Sequence, residues 1–326
     1  MTGPGGDGAS PDLHLQVVLG PCDDMRAELF VRCTPPRSSL PGLRLEGRLV
    51  GPECRHSNTL PAGAPLTDMG SGASGLLARA VLTEPAFWTP ELPNLYWLEA
   101  RATAGGGTVG TERRRIGLRR SGVRGRSLWL EGRRWVPRGV GCAAAAIDPV
   151  AFRESGTAAV VPNPEEAACS AADEAGVAII AAIDEPRLDQ AIVAERIAMW
   201  ALHPSVVMAV LPGTFDDGLA AASIPVLRRL KGTMLLARVV DGGTAPPSSV
   251  AEEIDVLVLS LVGDGLPHAA WRDAPPELPI VAWRRDGTPP EQRRRGCDRL
   301  QAALAAWGLA DGRPRPGWDW AGYVVS

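Results

Sequence analysis

The stretch Ala158-Ala159-Val160-Val161-Pro162-Asn163-Pro164-Glu165-Glu166, continued to Gly176-Val177-Ala178-Ile179-Ile180-Ala181-Ala182, decides the fold of the second half of the chain. The apolar run Ala158–Val161 predicts a strand. Asn163 then predicts a helix cap, with Pro164 at the first helical position, Glu166 reaching back and Gly176 as the stop. Ala167, Ala168, Ala171, Ala172 and Ala175 give that helix a flat face able to pack closely. A second apolar run, Ala178–Ala182, follows at once. Strand, helix, strand is the βα pattern, and it repeats.

Working outward, the predicted strands of this half are Trp135–Val140, Ala158–Val161, Ala178–Ala182, Val206–Leu211, Met234–Val240, Val256–Leu261, Ile280–Trp283 and Gly322–Val325. Eight strands in residues 121–326 predict a short (β/α)8 TIM barrel, since such barrels typically run to ~250 residues. Shortness implies trimmed βα loops. A late helix starts at Thr288, Pro289 and Glu291 and presents Cys297, Leu300, Leu304 and Trp307 on one side, spaced three, four and three. Residues 12–120 read differently. Leu43, Leu45, Gly47 and Leu49 alternate with Arg44, Glu46, Arg48 and Val50, the period of a half-buried strand. Similar runs occur at Leu13–Leu19, Ala27–Cys33, Leu76–Leu82, Tyr96–Thr103 and Gly107–Leu118. Gly, Pro and Ser clusters separate them, which predicts an immunoglobulin-like β-sandwich. Residues 1–11 are Gly/Ser/Pro-rich and predict a disordered tail.

Composition narrows the function. A formal net charge of −3 argues against a nucleic-acid binder working by bulk charge. Lys231 is the only lysine, so the basic side chains are almost all arginine. No run approaches ~18 apolar residues, so no membrane span is expected. The six cysteines include no C-x-x-C pair and the four histidines no metal spacing, so neither a metal nor a cofactor is expected. The expected compartment is the cytoplasm. Trp271, Trp283, Trp307, Trp318 and Trp320 crowd the C-terminal third. Indoles stack on sugars and anchor interfaces, and they also simply pack a core or close a barrel bottom.

Several segments carry a family resemblance. Trp88-Thr89-Pro90-Glu91-Leu92-Pro93-Asn94-Leu95-Tyr96 is followed by Ile116-Gly117-Leu118-Arg119 and by Leu130-Glu131-Gly132-Arg133-Arg134-Trp135-Val136-Pro137-Arg138-Gly139-Val140. Asp173-Glu174-Ala175-Gly176 and His203-Pro204-Ser205 come later. In order and spacing these resemble the family 2 glycoside hydrolases, which include β-galactosidases, β-glucuronidases and β-mannosidases. The resemblance implies an immunoglobulin-like sandwich leading into a TIM barrel, with two catalytic glutamates at the barrel mouth.

The residues at the implied functional positions differ from the family pattern. Asn and His after the first barrel strand are replaced by Gly141, Cys142 and Ala143. Val160, Val161 and Pro162 replace an Arg/His segment, and Ala181 and Ala182 replace an acidic pair. The acid/base glutamate corresponds to Thr214 and the nucleophile to Arg284. A glycosidase normally needs two carboxyl groups, and neither Thr nor Arg can replace one. The expectation is a protein that has lost glycosidase activity and binds a protein partner or a saccharide. Its mouth would be lined by Gly141, Ala143, Val161, Ala181, Leu211 and Thr214. The competing reading relocates the carboxylates to Asp216 as acid and Asp286 as nucleophile, while Asp184 and Glu185, two or three residues beyond the third strand, read as loop residues.

Overall fold

The computed structural model describes residues 13–34, 42–72, 75–184, 189–214, 217–273, 275–285, 293–310 and 316–326. The tail predicted over residues 1–11 and the helix start at Thr288, Pro289 and Glu291 lie outside them. The chain forms two compact units. One comprises the residues up to Ala86 together with Asn94–Leu118, and the other Phe87–Pro93 together with Arg119–Ser326.

The first unit contains β1 (His14–Cys22), β2 (Arg26–Thr34), β3 (Arg44–Glu53), β4 (Ala62–Gly72), β5 (Gly75–Thr83), β6 (Leu95–Ala104) and β7 (Gly107–Ile116). They form an antiparallel sheet in the order β1-β2-β5-β4-β3-β6-β7, a sandwich-like half-barrel in which β4 joins the two halves. Alternation is the cause. Ala27, Leu29, Val31 and Cys33 of β2 are buried, as are Leu76, Ala78, Ala80 and Leu82 of β5 and Leu98, Ala100 and Ala102 of β6. Their neighbours along each strand face out, where cross-strand ion pairs cover the sheet. Arg48 Nε lies 2.7 Å from Glu99, and Arg113 of β7 lies 3.4 Å from the same carboxylate.

The second unit opens with a small antiparallel sheet of β8 (Ser121–Arg124), β9 (Ser127–Leu130) and β10 (Arg133–Trp135). The predicted strand Trp135–Val140 is therefore two. Pro137 offers no N–H to a ladder, so β10 ends at Trp135 and the first barrel strand, β11, is Arg138–Gly141. The barrel continues through β12 (Ala158–Pro162), β13 (Ile179–Ala182), β14 (Val206–Leu211), β15 (Leu235–Asp241), β16 (Val256–Val262), β17 (Ile280–Arg285) and β18 (Gly322–Val325). Each strand pairs in parallel with the next, and β18 returns to β11 to close it. The predicted architecture, a sandwich followed by a (β/α)8 barrel, is borne out.

Helices α1 (Pro149–Ser155), α2 (Glu166–Ala175), α3 (Gln190–Trp200), α4 (Asp217–Leu230), α5 (Ala270–Asp273) and α6 (Arg293–Gly308) cover the barrel. The shortening falls on this layer as well as on the loops. Among the described residues no helix joins β15 to β16, and α5 is one turn long. Gly176 ends α2 in the left-handed conformation at φ 72°, where Arg153 and the Pro90 carbonyl leave no room for a side chain. Cys297, Leu300, Leu304 and Trp307 of α6 are buried as the spacing predicts.

Asn163 does not cap α2. The N-cap is Glu165, whose side chain makes no capping bond. Asn163 instead adopts a positive φ of 42° and clamps the neighbouring loop. Its amide donates to the Asp184 carbonyl at 2.6 Å and its Oδ1 accepts from the Asp184 N–H at 3.2 Å. An Asn tolerates the left-handed region because its short polar chain bonds locally.

Candidate active site

Strand parity defines the mouth. Side chains of laterally paired residues in a parallel sheet point to one face. Val140, Ala159, Val161, Ala181, Leu211, Leu259, Leu261, Ala282 and Val325 pack with helix residues such as Phe152, Cys169, Ile197 and Trp200. They therefore face outward. The alternate set faces the barrel axis: Gly139, Val160, Ile180, Val210, Ala237, Val258, Val281 and Val324. Gly139 is small for a reason. A Cβ there would sit 2.8 Å from Val160 Cγ2 and 2.9 Å from Val324 Cγ2. The barrel is a filled core, as its strand number requires.

At the C-terminal ends the inward positions are Gly141, Pro162, Ala182, Val210, Asp241, Ser260, Val262, Trp283 and Arg285. Sequence reasoning assigned Val161, Ala181 and Leu211 to the mouth, and the register corrects this. All three belong to the outer face. A one-residue difference turns a side chain to the other side. These strands are buried on both faces, so polarity does not mark which side is which.

The same parity places Arg284. It pairs with Leu261 and Val325, both outward, and is buried. Its guanidinium donates to the Gly265 carbonyl in the loop after β16, at 3.4 Å. The residue that meets the axis is Trp283, which the sequence reading counted only among the tryptophans. Its Nε1–H donates to Ser326 Oγ at 2.8 Å, and Arg285 stacks over the indole with its Cζ 4.6 Å from the ring centroid. Ile280 and Ala282 pack outward and so turn Trp283 inward, an orientation that the apolar run did not mark in the sequence.

Thr214 is exposed just beyond β14. Asp216, Asp286 and Glu185 lie outside the described residues. Asp184 is exposed, with its backbone held by Asn163. Among the described residues the inner faces of the strands carry one carboxylate, Asp241, which is exposed and accepts the Gly243 N–H at 2.9 Å. No cluster of metal-ligating side chains occurs among the described residues. Cys142 donates its backbone N–H to the Val160 carbonyl at 3.0 Å. The mouth holds Trp283 buried, with Arg285 over its indole. Its described residues do not bring two carboxyl groups together.

The polar chemistry of the barrel is concentrated at the opposite end. Asp173 of α2 is buried, bonded to His203 Nδ1 at 2.7 Å and to the Ser205 N–H at 2.8 Å. Trp88 Nε1 donates to the Asp173 carbonyl at 2.9 Å. Arg119 donates to the carbonyls of Pro204 and Val206. Burial lowers Arg119 to about 10, against the opposing pull of the Asp173 charge. His203 is thus one member of a buried polar network, on the face away from the mouth.

Residues 53–119 match the sequence profile of glycosyl hydrolases family 2. No curated protein matches the chain. Solved structures match nearly all of it at low identity. The β-glucuronidase of Ruminococcus gnavus aligns with a TM-score of 0.65 at 13% identity, over 96% of this chain and 61% of that one. Bacteroides uniformis β-glucuronidase 2, as a calcium-binding mutant, gives 0.61 at 15%, over 95% and 45%. A family 2 member from Bacteroides cellulosilyticus gives 0.60 at 16%, over 83% and 40%. The family resemblance read from the sequence is borne out. The chain spans about half the length of the structures it matches. Among the described residues no helix is long and apolar enough to cross a membrane.

Proposed function

We propose that this protein is a family 2-like barrel without glycosidase activity, acting as a binding or scaffold protein for a saccharide or a protein partner. One observation carries the reading. The seventh barrel strand turns Trp283 to the axis and Arg284 away from it. Retaining hydrolysis needs a nucleophilic carboxylate about 5–5.5 Å from an acid. An indole roofed by Arg285 and bonded to Ser326 provides neither. Thr214 lacks an acidic proton in the range that a leaving group requires.

Binding remains available to such a mouth, because the exposed Asp241 and Arg285 side chains can hydrogen-bond sugar hydroxyls or a partner's polar groups. The kinship with β-glucuronidases supports a saccharide over other small ligands. A cytoplasmic setting belongs to the proposal.

The test is hydrolysis of aryl β-glucuronides and β-galactosides, paired with a glycan array and affinity capture. The expected result is no turnover above the uncatalysed rate, with a specific saccharide or protein retained. Turnover abolished by Asp216→Asn or Asp286→Asn would establish the competing reading, a retaining glycosidase with relocated carboxylates. Clean glycan and capture results would remove the binding role.

A further inference from the structure

The end of α6 and the segment leading into β18 enclose a cavity of about 240 Å3, on the side of the barrel away from the mouth. Leu304 and Trp307 of α6 form one wall, and Trp318, Asp319, Trp320 and Tyr323 form the other. Trp318 and Trp320 meet edge to face, with ring centroids 4.9 Å apart and planes at 62°. Trp307 and Trp320 are 6.1 Å apart at 57°. Rings so inclined make a corner rather than a platform.

That shape selects a ligand class. A pyranose lies flat on one ring and needs hydrogen-bonding groups around its rim. The nearby Gln301 already accepts from Arg138 at 2.5 Å. A methylated ammonium ion presents a charged but apolar surface in every direction, which several π faces meet at once. A carboxylate stands at the rim. Asp319 is exposed and forms a long ion pair with Arg134 at 3.9 Å, which a bound cation would share. Cations already seek these rings. Arg272 lies 5.1 Å from the Trp307 ring and Arg138 5.5 Å from that of Tyr323, yet neither guanidinium lines the cavity.

We propose that this aromatic corner binds a quaternary ammonium group of the choline type, with Trp318 and Trp320 against the methyl groups and Asp319 as counter-charge. The site is independent of the barrel mouth, so it stands or falls separately from the loss of glycosidase activity. The experiment titrates the full chain with tetramethylammonium and choline chloride against sodium chloride at equal ionic strength. Tryptophan fluorescence and calorimetry are the readouts. Saturable binding in the millimolar range or tighter is expected. Trp318→Ala should weaken it about tenfold, Asp319→Asn should weaken it severalfold, and Trp318→Phe should retain part of it. A response no different from sodium chloride overturns the proposal. So does affinity unchanged by these substitutions, or displacement of choline by methyl glucoside. Should Trp318→Ala not fold, the exposed Asp319→Asn decides.

Discussion

Replacing Asp173 by alanine should destabilise the barrel more than any surface change. The carboxylate is 5% exposed and satisfies two buried donors, the Ser205 N–H at 2.8 Å and the His203 ring at 2.7 Å. A buried donor left without an acceptor costs about 1–3 kcal/mol. Two of them, with a buried Arg119 deprived of its nearest opposite charge, give roughly 4 kcal/mol in total. For a unit of this size that corresponds to a fall of about 8–16 °C in Tm. Asp173→Asn keeps an oxygen for Ser205 and should cost about half as much. Urea unfolding followed by tryptophan fluorescence measures both. If Asp173→Ala lies within about 1 kcal/mol of the unsubstituted protein, the network does not hold this end of the barrel.

Gly139→Ala puts a methyl group within 3 Å of two valine methyls and should cost about 1–3 kcal/mol by overpacking, read by the same urea titration. Burial pushes Cys33 up to about 11 and Cys169 and Cys297 to about 12. These thiols should resist a disulfide reagent at pH 8 until the protein unfolds, while Cys22, Cys54 and Cys142 react first. The same raised values hold full stability below about pH 9 and lose it as pH rises towards 11–12, measurable as a falling Tm. The hydrogen bond from Arg79 lowers the Glu28 carboxyl. Its contribution is present above the usual carboxylate range and lost as pH falls through the lowered value. Carboxyl NMR should find the depressed midpoint, and Arg79→Met should restore it.

The barrel was readable because its punctuation is local. Gly176 and the α6 stripe of Cys297, Leu300, Leu304 and Trp307 act through backbone sterics and one-sided burial, which a sequence displays directly. β4 was not. Its strand contains Gly63, Pro65, Gly70 and Gly72, residues that mark turns, and its partners β3 and β5 are what hold it extended. Asn163 has the right chemistry for a cap, but the Asp184 backbone competes for it and wins with two hydrogen bonds. The residue types at Gly141, Ala182 and Thr214, none of them a carboxylate, were legible directly. Orientation was not. Whether Trp283 or Arg284 meets the axis depends on a register shared with β16 and β18, and both faces of that strand are apolar or buried.

The most direct test of the central claim is the hydrolysis rate of an aryl β-glucuronide by the purified chain, set against an Asp216→Asn, Asp286→Asn double variant. Loss of glycosidase activity predicts two traces that coincide with the enzyme-free rate. Turnover by the unsubstituted chain that disappears in the double variant would contradict it, and would restore a working carboxylate pair to the barrel mouth.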